Sequence, residues 1–197
     1  MFLDFLSLYE NKFRGTLPSE RGLLSSTLID ISLHSNRLTG ELPSELGLLV
    51  ALGYETSNTA PDLGLQLQSN SLSGTIPADF FSLTLLQFLK LSFNLFDGSL
   101  SSSIDQLSDL HILNLSANSF DGPLPTTLGN LLNLDSLLLH QNSFTGTFPD
   151  SVCSTSPHGI EGFCVDCYIA EADCQCCSRC AEIFERIKLY SLYDILN

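Results

Sequence analysis

The sequence predicts an α/β right-handed solenoid, with a parallel sheet on its concave face and turns or 3-10 segments on its convex face. Three observations predict this class. A pattern of apolar residues, an asparagine and a glycine recurs six times, the apolar residues of each unit alternate as in a short strand, and all 7 cysteines follow the last unit. One short strand cannot bury its own apolar side, so the units must stack on each other.

The recurring asparagine marks the repeat most clearly. Successive asparagines are 25, 34, 24, 24 and 24 residues apart, and each is followed by Leu or Phe two positions on and by Gly four positions on. Each asparagine lies where the chain leaves the strand, where its side chain can pair buried backbone groups. We therefore expect a structural ladder formed by Asn11, Asn36, Asn70, Asn94, Asn118 and Asn142.

The fifth unit shows how each part of the repeat folds. Leu113 and Leu115 flank a polar residue and so form a strand with its leucines inward. Gly122 permits a tight bend. A Leu-Pro or similar step then favours extended or turn backbone on the convex side. The corresponding prolines are Pro18, Pro43, Pro77, Pro125 and Pro149.

From Leu110 to Leu134 the chain reads LxxLxLxxNxFxGxLPxxLxxLxxL. This string resembles the plant-specific class of leucine-rich repeats, found in receptor-like kinases, receptor-like proteins and polygalacturonase inhibitors, with similar proteins in diatoms. The resemblance covers Leu3 to Val152. It implies a secreted or cell-surface protein whose signal peptide is not present in this chain, and whose ligands are proteins, peptides or glycans.

The pattern divides the chain into three parts. Residues 1–152 hold six repeats of about 24 residues, residues 153–180 form a cysteine-rich cap, and residues 181–197 form a short helical tail. About ten additional residues near 53–62 interrupt the step from the second unit to the third, and we expect a solvated loop there. Arg21 in an inward leucine position and Ser101 in place of a proline depart from the pattern.

The cysteines support two readings of the cap. A solenoid end needs a polar-faced cap, and the extracellular resemblance implies that disulfides staple it. The rival is a zinc site made from Cys164-x-x-Cys167 and Cys177-x-x-Cys180, although the nine residues between these pairs are a short spacing for one. We favour disulfides and no metal. The disulfide candidates are Cys153, Cys164, Cys167, Cys174, Cys176, Cys177 and Cys180.

Charge restricts the partners. The chain has 22 acidic and 8 basic residues, and Lys90 is the only base between Leu38 and Ser178. A nucleic acid or an anionic membrane is therefore disfavoured as a partner. No apolar run is long enough to span a bilayer, and no motif predicts a cofactor.

Residues between the inward leucines should face the concave surface and bind a protein, a peptide or a glycan through hydrogen bonds and aromatic anchors. Phe88, Lys90 and Phe93 form the best predicted cluster. Asn114-Leu115-Ser116 is also an N-glycosylation sequence. The candidate binding residues are Tyr9, His34, Gln66, Gln68, Phe88, Lys90, Phe93, Asn114 and His140.

The sequence shows no catalytic arrangement. His34 and His140 lie four units apart, and no nucleophile, paired carboxylate or Gly-rich phosphate loop accompanies them. We therefore expect a non-catalytic binding module, an ectodomain or a secreted recognition protein. The alternative is a structural or enzyme-inhibitor scaffold that acts by protein-protein contact. An intracellular role would require the cap thiols to be free or bound to zinc.

Overall fold

The computed structural model describes residues 3–19, 27–54, 63–155 and 162–164. Several predictions fall outside these ranges: the inward position of Arg21, most of the insertion, and the helical tail 181–197. The cap cysteines that lie outside the described residues are Cys167, Cys174, Cys176, Cys177 and Cys180.

The described residues form a first sheet of seven parallel strands, in the order β1-β3-β5-β7-β9-β11-β13. Each strand pairs with the strand of the next unit, as stacking of the repeats requires. The predicted parallel sheet is thus confirmed. Its strands are β1 (Phe5–Ser7), β3 (Asp30–Ser32), β5 (Gly64–Gln66), β7 (Phe88–Lys90), β9 (Ile112–Asn114), β11 (Ser136–Leu138) and β13 (Gly162–Cys164).

The residues just after each ladder asparagine form a second parallel sheet of six strands, whereas the repeat pattern predicted only a tight bend. Each glycine of this sheet lies opposite the Leu or Phe of the next unit, as Gly98 lies opposite Phe120. The bend therefore becomes a short ladder of its own. Its strands are β2 (Arg14–Gly15), β4 (Arg37–Gly40), β6 (Ser71–Gly74), β8 (Leu95–Ser99), β10 (Ser119–Pro123) and β12 (Ser143–Thr145).

Short helical turns close units two to five, as predicted. They are 3-10 helices at Ser44–Leu48, Ala78–Ser82, Ser102–Gln106 and Thr126–Asn130. A proline precedes three of these turns, and Ser101 precedes the other. There the Ser101 hydroxyl accepts a hydrogen bond from the Ser103 N–H at 3.1 Å, which explains why serine can replace proline. One α-helix, α1 (Asp150–Thr155), follows the sixth unit.

The core is a continuous stack between the two sheets and the turns. The inward leucines of the middle units, such as Leu113 and Leu115, are fully buried. Phe96, Phe120 and Phe144 form a phenyl stack, with successive ring centroids 6.1 Å apart. The units inside the stack thus bury their apolar sides against their neighbours.

The side-chain amide of each ladder asparagine after Asn11 joins two units. In unit five, the Asn118 Nδ2 donates to the carbonyl oxygens of Leu115 at 3.0 Å and Ser116 at 3.2 Å. It also reaches the preceding unit, donating to the Leu91 carbonyl at 3.0 Å, while its Oδ1 accepts from the Phe96 N–H at 3.0 Å. The same cross-unit bonds recur at Asn36, Asn70, Asn94 and Asn142.

A left-handed residue precedes every ladder asparagine. These residues have φ between 52° and 58° although none is glycine. A single left-handed residue turns the chain out of the strand and brings the asparagine amide against the backbone. The residues are Glu10, Ser35, Ser69, Phe93, Ala117 and Gln141.

The first unit is the exposed end of the described stack. β1 and β2 lie at the outer edges of the two sheets, and Leu3, Phe5 and Phe13 are about half exposed. Among the described residues, Asn11 donates only to carbonyls of its own unit, those of Leu8 and Tyr9. It therefore serves as a natural comparison for the asparagines inside the stack.

We predict that Asn118→Ala lowers the free energy of unfolding by about 1–3 kcal/mol, because the buried N–H of Phe96 loses its acceptor and the Leu91 carbonyl loses one of its two amide donors. Asn11→Ala, which removes no cross-unit bond, should cost clearly less. Urea unfolding of both variants measures the difference. Equal losses, or an unchanged midpoint for Asn118→Ala, would contradict the ladder.

Candidate binding surface

The face of the first sheet opposite the leucine core carries columns of residues held in register. Phe88 lies opposite Gly64 and Ile112, and Lys90 lies opposite Gln66 and Asn114. The first column is Phe5, Asp30, Gly64, Phe88, Ile112 and Ser136, and the second is Ser7, Ser32, Gln66, Lys90, Asn114 and Leu138. A third, just beyond the strands, is Tyr9, His34, Gln68, Ser92, Ser116 and His140.

One cluster of this surface joins three neighbouring strands. The Lys90 Nζ lies 5.5 Å from the centre of the Phe88 ring, and the Phe88 and His111 rings stack with their centroids 6.3 Å apart. The His111 Nδ1 is 2.8 Å from the Asp135 Oδ2. We call Phe88, Lys90, His111 and Asp135 the anchor cluster. Its cation, its two rings and its carboxylate are all partly open to solvent.

The repeat pattern predicted Phe88 and Lys90 of the anchor cluster but not His111 and Asp135. His111 and Asp135 each lie one residue before a strand, outside the three columns. Their shared position in successive units is the signal that could have found them. Phe93, predicted to join Phe88 and Lys90, instead occupies the exposed left-handed turn after β7. Among the described contacts, no ring or cation contact joins Phe93 to those two residues.

The other candidates lie in the columns at different depths. Tyr9 and His34 stack on each other, with ring centroids 4.6 Å apart and planes 9° from parallel. Gln66 and Gln68 are half-buried, whereas His140 is buried. His34 and His140 are in separate units, as expected, and the strand register places β5, β7 and β9 between them.

Asp30 is a buried carboxylate in the first column. Its Oδ1 accepts from the Gly64 N–H at 3.1 Å, and its Oδ2 accepts from the Ser32 hydroxyl at 2.9 Å. Desolvation by burial raises the pKa of Asp30, against hydrogen bonds from Ser32, Gly64 and Gln66 and the charge of Lys90, all of which lower it. Asp30 thus holds the start of β5, directly after the insertion.

Gly64 is required at this place. Its φ is +156°, and a Cβ there would collide with the carbonyl oxygen of Phe88. The absence of a side chain also leaves the Asp30 carboxylate room to reach the Gly64 N–H. Asp30 and Gly64 together keep β5 in register with β3 and β7.

Within the described residues, no three His, Cys, Asp or Glu side chains come together as metal ligands would. In the same part of the chain, no helix is long and apolar enough to cross a membrane.

Comparison with known proteins identifies the class of this fold. The family profile described as Leucine Rich Repeat matches residues 27–49, 109–131 and 133–155. A comparison with curated proteins gives no match. The chain thus contains leucine-rich repeats, and together with the two parallel sheets they define a leucine-rich-repeat solenoid.

Solved structures of plant receptors are similar to this chain. The ectodomain of the Arabidopsis thaliana receptor kinase GASSHO1/SCHENGEN3, in complex with CASPARIAN STRIP INTEGRITY FACTOR 2, is 33% identical, with a TM-score of 0.66, over 78% of this chain and 17% of that one. The plant peptide hormone receptor RGFR1, in complex with RGF2, is 30% identical, with a TM-score of 0.68, over 76% of this chain and 22% of that one. The chain therefore spans about a fifth of the length of these two receptors.

A plant ice-binding protein is also similar, at 30% identity and a TM-score of 0.58, over 66% of this chain and 39% of that one. The same solenoid thus occurs in proteins described by quite different ligands. Function must therefore be argued from the surface rather than from the fold.

We predict that Asp30 makes stability depend on pH. Because its pKa in the folded state is raised above its ordinary value of 3.8, its contribution is fully present below that value and is lost as pH rises through the folded pKa. On acidification from pH 7 towards pH 4, the wild type should therefore gain stability relative to Asp30→Asn. Denaturant unfolding across this range measures it.

Asp121→Asn controls for the loss of one charge, because Asp121 is exposed on the second sheet. A constant difference between the wild type and Asp30→Asn at every pH would show that Asp30 gains no protons on folding.

Proposed function

We propose that this chain is a non-catalytic binding domain that recognises a peptide or protein segment on the column face of the first sheet. The single observation that carries this proposal is the anchor cluster, in which a cation and two aromatic rings meet across two neighbouring strands in register. Aromatic and cationic side chains in ordered positions supply most of the energy in typical protein interfaces.

The surroundings of the cluster suit a hydrogen-bonding ligand. Gln66 and Asn114, both half-buried, flank Lys90 on neighbouring strands. Side-chain amides of this kind pair with peptide backbone. Neighbouring parallel strands are about 4.8 Å apart, so a ligand crossing them meets a new set of donors at each step.

Lys90 gives the column face of the first sheet a positive charge. It is the only base between Leu38 and Ser178 in a chain of net charge -14. Its ammonium group lies beside the Phe88 ring, where part of its surface is removed from water. A carboxylate or a row of carbonyl oxygens on the ligand would therefore be held at Lys90, with an apolar side chain against Phe88 and His111.

An extracellular role is part of the proposal. Two plant receptors similar to this chain are described in complex with CASPARIAN STRIP INTEGRITY FACTOR 2 and with RGF2. Their likeness supports a secreted or cell-surface recognition domain here. The predicted disulfide cap, which mostly lies outside the described residues, would fit the same oxidising compartment.

A displayed library of random peptides, selected on the wild-type protein, tests the proposal. For the enriched peptides, Phe88→Ala and Lys90→Ala should each weaken binding at least about tenfold, roughly 1.4 kcal/mol. Isothermal calorimetry gives each Kd. Thr145→Ala is the matched control, because Thr145 is exposed on the second sheet. Enriched peptides that bind the two cluster variants as tightly as the wild type would contradict the proposal.

A further inference from the structure

We propose that Asn114 is an acceptor for an N-linked glycan, and that this glycan covers the anchor cluster. Asn114-Leu115-Ser116 is the single Asn-x-Ser/Thr sequence in the chain. Asn114 lies at the end of β9 in the second column, half-buried among its neighbours. The structure gives this residue an arrangement that differs from every ladder asparagine.

The side-chain amide of Asn114 is held by its oxygen. Its Oδ1 accepts from the Ser116 hydroxyl at 2.7 Å and from the Ser116 N–H at 3.1 Å. Among the described residues, its Nδ2 has no hydrogen-bond partner. By contrast, the Nδ2 of Asn118 donates to three backbone carbonyls. The Asn114 nitrogen can therefore carry a substituent without breaking the bonds between units, whereas the Asn118 nitrogen cannot.

The chemistry is a group transfer in the secretory pathway, and it rests on the proposed extracellular placement. The Asn114 Nδ2 attacks the anomeric carbon of a lipid-linked pyrophosphoryl oligosaccharide. A carbon–nitrogen bond forms, the bond from that carbon to the pyrophosphate oxygen breaks, the lipid pyrophosphate leaves and one amide proton is released. The Ser116 hydroxyl is the group that defines the acceptor sequence.

The register places the attached sugar against the cluster. Asn114 lies opposite Lys90 on one side and Leu138 on the other. Ile112, two residues earlier on the same strand and the same face, lies opposite Phe88. A glycan at the Nδ2 therefore overlies Lys90 and Phe88. The modified and unmodified forms would present different surfaces, and the consequence for ligand binding rests on the proposed peptide recognition.

The first test is occupancy. Expressed with a signal peptide in a eukaryotic secretory host, the full chain should gain the mass of one oligosaccharide, located at Asn114 by peptide mapping. Asn114→Gln and Ser116→Ala should abolish it, and Ser116→Thr, which keeps the acceptor sequence, should retain it. Wild-type and Ser116→Thr proteins secreted without a glycan at Asn114 would overturn the assignment.

The second test is coverage, and it needs no ligand. Acetic anhydride labelling should modify Lys90 several-fold more slowly in the glycosylated protein than in the same protein trimmed by an endoglycosidase to one sugar. Lys12, exposed in the first unit, is the internal control and should react equally in both. Equal labelling of Lys90 in the two forms would overturn the coverage of the cluster. Because both forms are wild type, a folding defect in Asn114→Gln would not affect this comparison.

Discussion

The recurring asparagine amide is the interaction on which the rest of the structure depends. Three-residue strands have too little apolar surface to be stable alone, so each unit exists only through its neighbours. The amide nitrogen of Asn118 donates to carbonyl oxygens of its own unit and of the preceding unit. Its amide oxygen accepts a hydrogen bond from a backbone N–H of the preceding unit. The non-glycine left-handed residue before it costs conformational energy, which those bonds and the stacked core offset.

The candidate binding surface follows from that regularity. Because the chain leaves the strand at the same position in every unit, equivalent residues align across the first sheet. Residues at matching positions of successive units therefore become neighbours. Phe88, His111 and Asp135 lie in three units, yet they touch because the register is kept. The insertion interrupts the repeat just before β5. There the buried Asp30 carboxylate accepts a hydrogen bond from the Gly64 N–H, which holds β5 in register. The burial of Asp30, on the face that would bind the ligand, thus has a structural cause.

Periodicity was enough to predict the fold and the columns, because a repeat with inward leucines has one way to stack. It could not predict the second sheet, since the segment around Gly98 and Gly122 has no alternating pattern and pairs only through backbone groups of the adjacent unit. His111 and Asp135 were missed for a related reason, because their contact depends on side-chain directions before the strand. Phe93 fits the pattern of an aromatic anchor, but the left-handed turn that it occupies carries it away from Lys90.

Hydrogen exchange at a single backbone amide tests the central claim most directly. The N–H of Phe96 donates to the Asn118 Oδ1, whereas that of Phe120 donates to Asn142. In Asn118→Ala, measured by NMR under native conditions, the Phe96 amide should lose protection while the Phe120 amide keeps most of its own. Unchanged protection at Phe96 would contradict the account, because it would mean that the asparagine amide does not hold the units together.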